Sequence, residues 1–246
     1  MESLRSSSPS KMLPISIGPA TLALAVSFLL VAYLTNRCWT PPNPSPLGPA
    51  ASLPRDDLGV SPRAIKTRRL VDLVFWVLHT LFTVYYPFPP VMLCPCPENL
   101  SSSLFTWSPY TAFVLASILM AAPIRLLAFK QLGENFTFRL AKPKRLVKTG
   151  LYAYVQHPSY PTDWVVLTSN IAMLLRPDGV LGCVLPSRWI SVGVKMWPVL
   201  LLLSGALGLG AIWVRVQNEE AMLKDHFESE WEEYSQRTKR FVPGLF

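Results

Sequence analysis

Arg215 and Glu219 stand four residues apart near the end of the chain, within a polar segment at 214–240. This spacing places both side chains on one face of a helix. A guanidinium can hold a carboxylate through two parallel hydrogen bonds, and a glutamate accepts hydrogen bonds from hydroxyl or ammonium groups. The pair predicts a site for a polar ligand with an acidic group. The alternative is an intrahelical ion pair, which stabilises a helix by only about 0.3 kcal/mol.

A second polar segment, residues 133–160, is basic and rich in aromatic residues. It ends with the tetrapeptide HPSY, which begins at His157. Tyr152 and Tyr160 can offer aromatic faces to a flat or cationic ligand. The alternative for His157 is that it merely bounds a helix, because a residue that precedes proline disfavours the helical conformation.

The two polar segments carry a resemblance to a known family. The first block is LVKTGLY at 146–152, followed by HPSY at 157–160. The second block is RVQNEE, which starts at Arg215. After it come the further matching residues Leu223, Phe227, Trp231, Tyr234, Arg240 and Pro243. In order and spacing, the blocks resemble the isoprenylcysteine carboxyl methyltransferase family and the wider group of small membrane methyltransferases, over roughly residues 107–246.

The resemblance implies methyl transfer from S-adenosyl-L-methionine to the carboxylate of a C-terminal prenylated cysteine, with no metal. It implies that the cofactor binds from the cytosolic side and that the lipid-linked substrate enters from the bilayer. Arg215 would face the substrate carboxylate. The implied cofactor-binding residues are Leu146, Val147, Tyr152, His157, Pro158, Ser159, Tyr160 and Glu219.

The chemistry of this transfer suits these residue types. A C-terminal carboxylate has a pKa of about 3.5 and is already ionised at neutral pH, so it needs no general base. The protein has mainly to position two reactants and to exclude water. An arginine can hold the carboxylate while one oxygen lone pair stays available for attack.

Three positions depart from the family pattern. Gln156 replaces the arginine usual before His-Pro, and Pro161-Thr162-Asp163 follow Tyr160, where the family usually has a small residue two positions on. Lys144-Arg145 precede the first block, where the prenylcysteine enzymes tend to have histidine and a small residue. These departures leave other readings open. The alternative functions are a methyltransferase for a phospholipid amine or another lipid, a sterol-type membrane reductase that uses NADPH, and a non-catalytic membrane adaptor.

Hydropathy predicts the elements that must position these residues. Half of the 246 residues are hydrophobic, 15% are charged and the mean hydropathy is +0.31, values typical of an integral membrane protein. We therefore predict an all-α, polytopic membrane fold with about five transmembrane helices and a cytosolic, amphipathic C-terminal helix. The five apolar segments cover residues 13–34, 70–93, 107–129, 164–175 and 191–214. We expect the first to be a retained helix rather than a cleaved signal peptide, because its apolar run is long.

The net charge of +8 gives an orientation. Basic residues concentrate between the first and second spans and between the third and fourth, whereas residues 87–106 contain no Lys or Arg. By the positive-inside rule, both basic loops and the C-terminus face the cytosol. We expect an endoplasmic reticulum membrane location, with no role in nucleic-acid binding. The oligomeric state is left open.

The chain is expected to divide into two parts. Residues 1–106 hold the first spans and a proline-rich cytosolic linker at about 35–69, and residues 107–246 hold the methyltransferase-like core. We expect the four cysteines, Cys38, Cys94, Cys96 and Cys183, to be ordinary thiols, because Cys94 and Cys96 are too close to pair easily. His79, inside the second span, is expected to be a hydrogen-bonded core residue rather than a functional one.

Overall fold

The computed structural model describes residues 17–43 and 61–244. Most of the linker, at 44–60, and the first residues of the predicted span at 13–34 lie outside the described residues. Within these ranges the protein is helical, and an isolated bridge between Val155 and Lys239 is the only β pairing. The prediction of an all-α membrane fold is confirmed. The seven α-helices of the described residues are α1 (Pro19–Cys38), α2 (Pro62–Tyr85), α3 (Ser102–Phe105), α4 (Pro109–Leu132), α5 (Ser159–Leu174), α6 (Ser187–Phe227) and α7 (Ser229–Arg237).

The start of the long helices follows from local sequence. Ser61 and Ser108 cap α2 and α4 by accepting hydrogen bonds from backbone N–H groups in the first turn, and each is followed by proline. A proline at this position loses no helical hydrogen bond and has a suitable φ angle. Short 3-10 turns connect the helices, at Pro97–Asn99, Gly133–Asn135, Gly150–Ala153 and Val180–Cys183.

Three helices of the described chain are long and apolar enough to cross a membrane: Pro19–Cys38, Pro109–Asn135 and Ser187–Phe227. The predicted count of five spans is not confirmed. The helix α5 has only 16 residues, and the first turns of α2 are basic. Because about 20 apolar residues are needed to cross the hydrocarbon core, neither of these two meets the criterion by itself.

The helices at the end of the chain differ from their prediction. The last predicted span and the predicted C-terminal helix at 214–240 are one continuous helix of 41 residues, α6, followed by a break and the short α7. The break lies at Glu228, which has a positive φ of 45°. The sequence contains no glycine or proline between residue 214 and the break, so the span continues as a helix into its polar extension.

The main core lies among α1, α2, α4 and α5. Phe28, Trp76, Phe82 and Phe105 are almost completely buried there. His79 is also buried in this core, where its Nε2 donates to the Leu104 carbonyl and its ring stacks on Phe105. The expectation of a hydrogen-bonded core histidine is confirmed. Helices from both predicted parts of the chain share this core, and the division near residue 107 stays a prediction.

The expectation of four ordinary thiols is wrong. Cys94 and Cys183 form a disulfide, with their Cα atoms 4.5 Å apart. The pair is separated by 89 residues, so the local spacing of Cys94 and Cys96 gave no sign of it. The bond links the loop after α2 to the turn before α6, on the side predicted to face the lumen, where disulfides persist. Cys38 and Cys96 are free.

Candidate functional site

A cavity of about 250 Å³ lies where the two polar segments meet the ends of the membrane helices. Its described walls come from the end of α1, from α2, α4, α5, α6 and α7, and from the loop after α4. Arg215 lines this cavity. The implied cofactor residues that line it are Leu146, Val147, Tyr152, His157, Ser159, Tyr160 and Glu219. Pro158 is not among the lining residues and instead precedes the first turn of α5.

The backbone of the first block is shaped by Gly150. This residue has a φ of 65°, a conformation that side-chain-bearing residues rarely adopt, and a Cβ here would collide with the side chain of Gln131. Gln131 in turn accepts a hydrogen bond from the Leu151 N–H at 2.8 Å. This contact attaches the first block to the end of α4. Tyr152, which follows Leu151, lies in the cavity wall with its side chain buried.

His157, Tyr160, Arg215 and Glu219 form one polar cluster, here called the motif end of the cavity. The Tyr160 hydroxyl donates to Glu219 Oε2 at 2.7 Å, and His157 Nδ1 lies 3.8 Å from the same oxygen. About a quarter of the Glu219 side chain is exposed (26%), so its carboxylate is fixed on one side and accessible on the other. A carboxylate held in this way can accept hydrogen bonds from a ligand.

Arg215 connects the motif end to the loop after α4. Its Nη2 donates to the Phe138 carbonyl at 2.7 Å, and its Nε donates to the Tyr160 hydroxyl oxygen at 3.4 Å. These two partners belong to segments other than α6. The guanidinium thus participates in tertiary contacts that an ion pair within one helix would not require.

The C-terminal segment covers the cavity. Leu223, Trp231 and Tyr234 are buried in a small apolar cluster with Leu140 and Met222. These side chains therefore pack on the loop after α4, which contains Leu140. The Tyr234 hydroxyl donates to the Tyr152 carbonyl at 2.7 Å. Burial raises the pKa of Tyr234 to about 12, so this donor keeps its proton at any physiological pH.

Gln156, the departure before His-Pro, has a structural role. Its side chain is buried, and its amide nitrogen donates to the Thr238 carbonyl at 2.9 Å. The backbone N–H groups of Gln156 and His157 donate to the carbonyls of Lys239 and Arg240. The Gln156 side chain thus attaches the end of α7 to the segment that precedes His157.

A second charged cluster, which the motifs do not indicate, also lines the cavity. Arg125 is 6% exposed and forms an ion pair with Asp163 at 3.2 Å. The Trp39 indole N–H donates to the same Asp163 oxygen at 3.3 Å, and the Arg68 guanidinium lies 3.8 Å from the centre of the Trp39 ring. All four residues line the cavity, and we call them the α2 end.

One sequence signal for the α2 end was available. Arg125 is the only charged residue in the apolar segment 107–129, and charged residues inside membrane helices are commonly functional or paired. Its partner Asp163 lies in the segment after Tyr160 that departs from the family pattern. Trp39 and Arg68 carry no recognisable pattern, because they reach the cavity through packing of distant helices.

The basic loop and the acidic tail pair with one another at the surface. Lys148 Nζ lies 2.7 Å from Glu230 Oε1, and Lys142 Nζ lies 3.4 Å from Asp225 Oδ2. Both pairs are exposed or half-exposed, so each contributes little to stability. Among the described residues, no group of three or more histidine, cysteine or acidic side chains is arranged to hold a metal ion.

Comparison with known proteins supports the resemblance carried by the motif blocks. Residues 113–190 match the model of the isoprenylcysteine carboxyl methyltransferase (ICMT) family. A relative named protein-S-isoprenylcysteine O-methyltransferase, from Dictyostelium discoideum, is 26% identical over 126 residues. The aligned region is 50% of this chain and 44% of the relative, so the match spans less than half of the relative's length. The predicted similarity to this family is confirmed, and the matched segment contains the whole first block.

Proposed function

We propose that this protein transfers the methyl group of S-adenosylmethionine to the carboxylate of a C-terminal prenylated cysteine. The observation that carries the proposal is that residues of both motif blocks line one cavity, with Tyr160 and Glu219 joined by a 2.7 Å hydrogen bond. The similarity to the prenylcysteine methyltransferases supports the reaction class.

The charge of the cavity supports an acidic acceptor. Five arginines line it among the described residues, against two carboxylates, Asp163 and Glu219. The arginines are Arg68, Arg125, Arg139, Arg145 and Arg215. This excess of positive charge favours an acceptor that carries a negative charge, such as a carboxylate.

The residues of the motif end fit the polar groups of S-adenosylmethionine. The accessible edge of Glu219 would accept hydrogen bonds from its amino group or its ribose hydroxyls, and the Tyr160 hydroxyl would keep that carboxylate in place. Tyr152, Leu146 and Val147 would cover its flat or apolar parts. When bound, the cofactor supplies an electrophilic methyl group on sulfur. His157 and Ser159 would complete the wall, while Pro158 would act only by shaping the backbone.

The residues then have to orient the acceptor. Arg215 would hold one side of the carboxylate, and its contacts with Phe138 and Tyr160 would fix the guanidinium before the acceptor arrives. No general base is required, because the carboxylate is ionised at neutral pH. The C-terminal helix α7 would exclude water, since Trp231 and Tyr234 close the cytosolic face of the cavity.

The orientation in the membrane follows the same proposal. The cavity would open toward the cytosol and the C-terminus would lie there, in the endoplasmic reticulum membrane. The charge asymmetry of the loops supports this orientation. The Cys94–Cys183 disulfide lies on the opposite side, which would be the oxidising lumen.

Purified protein in detergent tests the proposal through ligand binding and transfer. We expect thermal stabilisation by S-adenosylhomocysteine and none by NADPH. We expect labelled methyl transfer to N-acetyl-S-farnesylcysteine, which Arg215→Ala should abolish while S-adenosylhomocysteine still binds. The matched control is Arg188→Ala, an exposed arginine on the same helix that does not line the cavity. Stabilisation by NADPH, or unchanged transfer in Arg215→Ala, would contradict the proposal.

A further inference from the structure

The proposed mechanism leaves the α2 end of the cavity without a role. Three of its four residues are firmly held by the protein, and the fourth, Arg68, stands on the exposed part of the wall. A series of contacts connects the core to this arginine. Each contact restricts the orientation of the next residue in the series.

The Arg125 guanidinium is held by contacts within the protein. Its Nε donates to the Cys38 carbonyl, its Nη1 donates to the Ser159 carbonyl and its Nη2 pairs with Asp163. Because all three nitrogens have protein acceptors, Arg125 is a positioning residue. It joins the end of α1 to the start of α5 and holds the Asp163 carboxylate.

Asp163 in turn positions Trp39. Its Oδ1 accepts from both Arg125 and the Trp39 indole, so the ring is held by a hydrogen bond as well as by burial, at 5% exposure. The face of this fixed ring lies under the Arg68 guanidinium at 3.8 Å. A guanidinium that stacks on a ring keeps the N–H groups of its edge available for an anion.

Arg68 differs in this respect from the other arginines of the two ends. Each guanidinium nitrogen of Arg125 has an acceptor in the protein, and Arg215 donates to Phe138 and Tyr160. No hydrogen bond from Arg68 to another described residue occurs. Ile65 lies one turn before Arg68 and lines the same wall, which adds an apolar surface beside the cation.

We propose that Arg68, supported by Trp39 and Asp163, is a specificity-determining residue that binds the acidic group of the methyl acceptor. This role rests on the proposed function. Since methylation removes the negative charge of the acceptor, the ester product loses this contact, and Arg68 therefore favours binding of the acid over retention of the ester. Arg68 acts together with Arg215, which belongs to the motif end.

The test compares binding of N-acetyl-S-farnesylcysteine with binding of its methyl ester, in the presence of S-adenosylhomocysteine. We expect the wild-type protein to bind the acid at least about tenfold more tightly than the ester, the preference that one charge-assisted contact provides. Arg68→Gln should lower this preference and leave the part that Arg215 provides, while the affinity for S-adenosylhomocysteine is unchanged. Arg68→Lys should restore part of it, since lysine keeps the charge and loses the planar edge.

Lys66→Gln is the matched control, because it removes one positive charge from the same turn of α2 at an exposed position outside the cavity wall. This variant should keep the preference for the acid. An unchanged preference in Arg68→Gln would overturn the role of Arg68, and so would an equal loss in Lys66→Gln. A wild-type protein that binds S-adenosylhomocysteine but neither farnesyl compound would instead overturn the proposed acceptor class, and this role with it.

Discussion

Arg125 and Glu219, one at each end of the cavity, differ in how their charges are neutralised. At the α2 end, Arg125 is 6% exposed and finds its acceptors entirely within the protein. At the motif end, Glu219 remains 26% exposed and makes its contacts through one carboxylate oxygen. A charge whose partners are built into the fold supports stability, whereas a partly accessible charge is available to a ligand. Substitution of a charge of the first kind should therefore be tested by its effect on unfolding, and substitution of a charge of the second kind by its effect on ligand binding.

The largest effect is expected at the α2 end, from Arg125→Ala. Removing the guanidinium leaves the Asp163 carboxylate and two backbone carbonyls without their donor, so the free energy of unfolding should fall by about 3 kcal/mol. Thermal unfolding in detergent measures this loss. Lys144→Ala is the control, since its ion pair with Glu134 is exposed and should contribute little to stability. Equal effects of the two variants would remove the distinction between the ends.

The next effect is expected at the motif end, from Tyr160→Phe. The substitution removes the hydroxyl that holds Glu219 at 2.7 Å, and it should weaken binding of S-adenosylhomocysteine by about tenfold, the value of a hydrogen bond to a charged group. Calorimetric titration measures the affinity. The control is Tyr154→Phe, because Tyr154 is 68% exposed and does not line the cavity. A Tyr160→Phe protein with wild-type affinity would show that the motif end does not bind this ligand.

A smaller effect is expected at Tyr234 of α7, the helix that covers the cavity. Tyr234→Phe removes the hydrogen bond to the Tyr152 carbonyl and should lower the free energy of unfolding by about 1 kcal/mol. Burial raises the pKa of Tyr234 from 10.0 to about 12, so the folded state favours the protonated hydroxyl. This contribution is complete below pH 10 and is lost as the pH rises through about 12. Unfolding followed between these pH values should show the loss in the wild type and a smaller one in Tyr234→Phe.

The smallest effect is expected from the surface pair that joins the basic loop to α7. Lys148→Gln breaks the contact with Glu230 and should change the affinity for S-adenosylhomocysteine by less than twofold, since exposed pairs contribute about 0.5 kcal/mol or less. The difference should disappear at high salt. A tenfold change that persists in salt would mean that α7 is held by this pair rather than by Trp231 and Tyr234.

The sequence predicted the motif end more fully than the α2 end. The blocks around His157 and Arg215 are each local, so their spacing could be read directly, and Glu219 falls one helical turn after Arg215. The contact of Trp39 with Asp163 joins residues 124 positions apart, and the Cys94–Cys183 pair joins residues 89 positions apart. No periodicity or local spacing encodes such contacts, because they depend on how the helices pack.

The exact boundaries of individual helices could not be predicted from the sequence either. The break at Glu228 requires a positive φ, which a pattern search expects at glycine or asparagine rather than at glutamate. The role of Gln156 was hidden for a related reason. The carbonyls of Ser235 and Thr238, to which its amide donates, come close only after α7 has folded back over the first block.

The most direct test of the central claim is the chemical form of the methyl product. Purified protein with labelled S-adenosylmethionine and N-acetyl-S-farnesylcysteine should yield a product that releases labelled methanol in mild base, as a carboxyl methyl ester does. The label should be absent when the acceptor is replaced by its carboxamide. A base-stable product on a phospholipid amine, or no transfer by a protein that binds S-adenosylhomocysteine, would contradict the account.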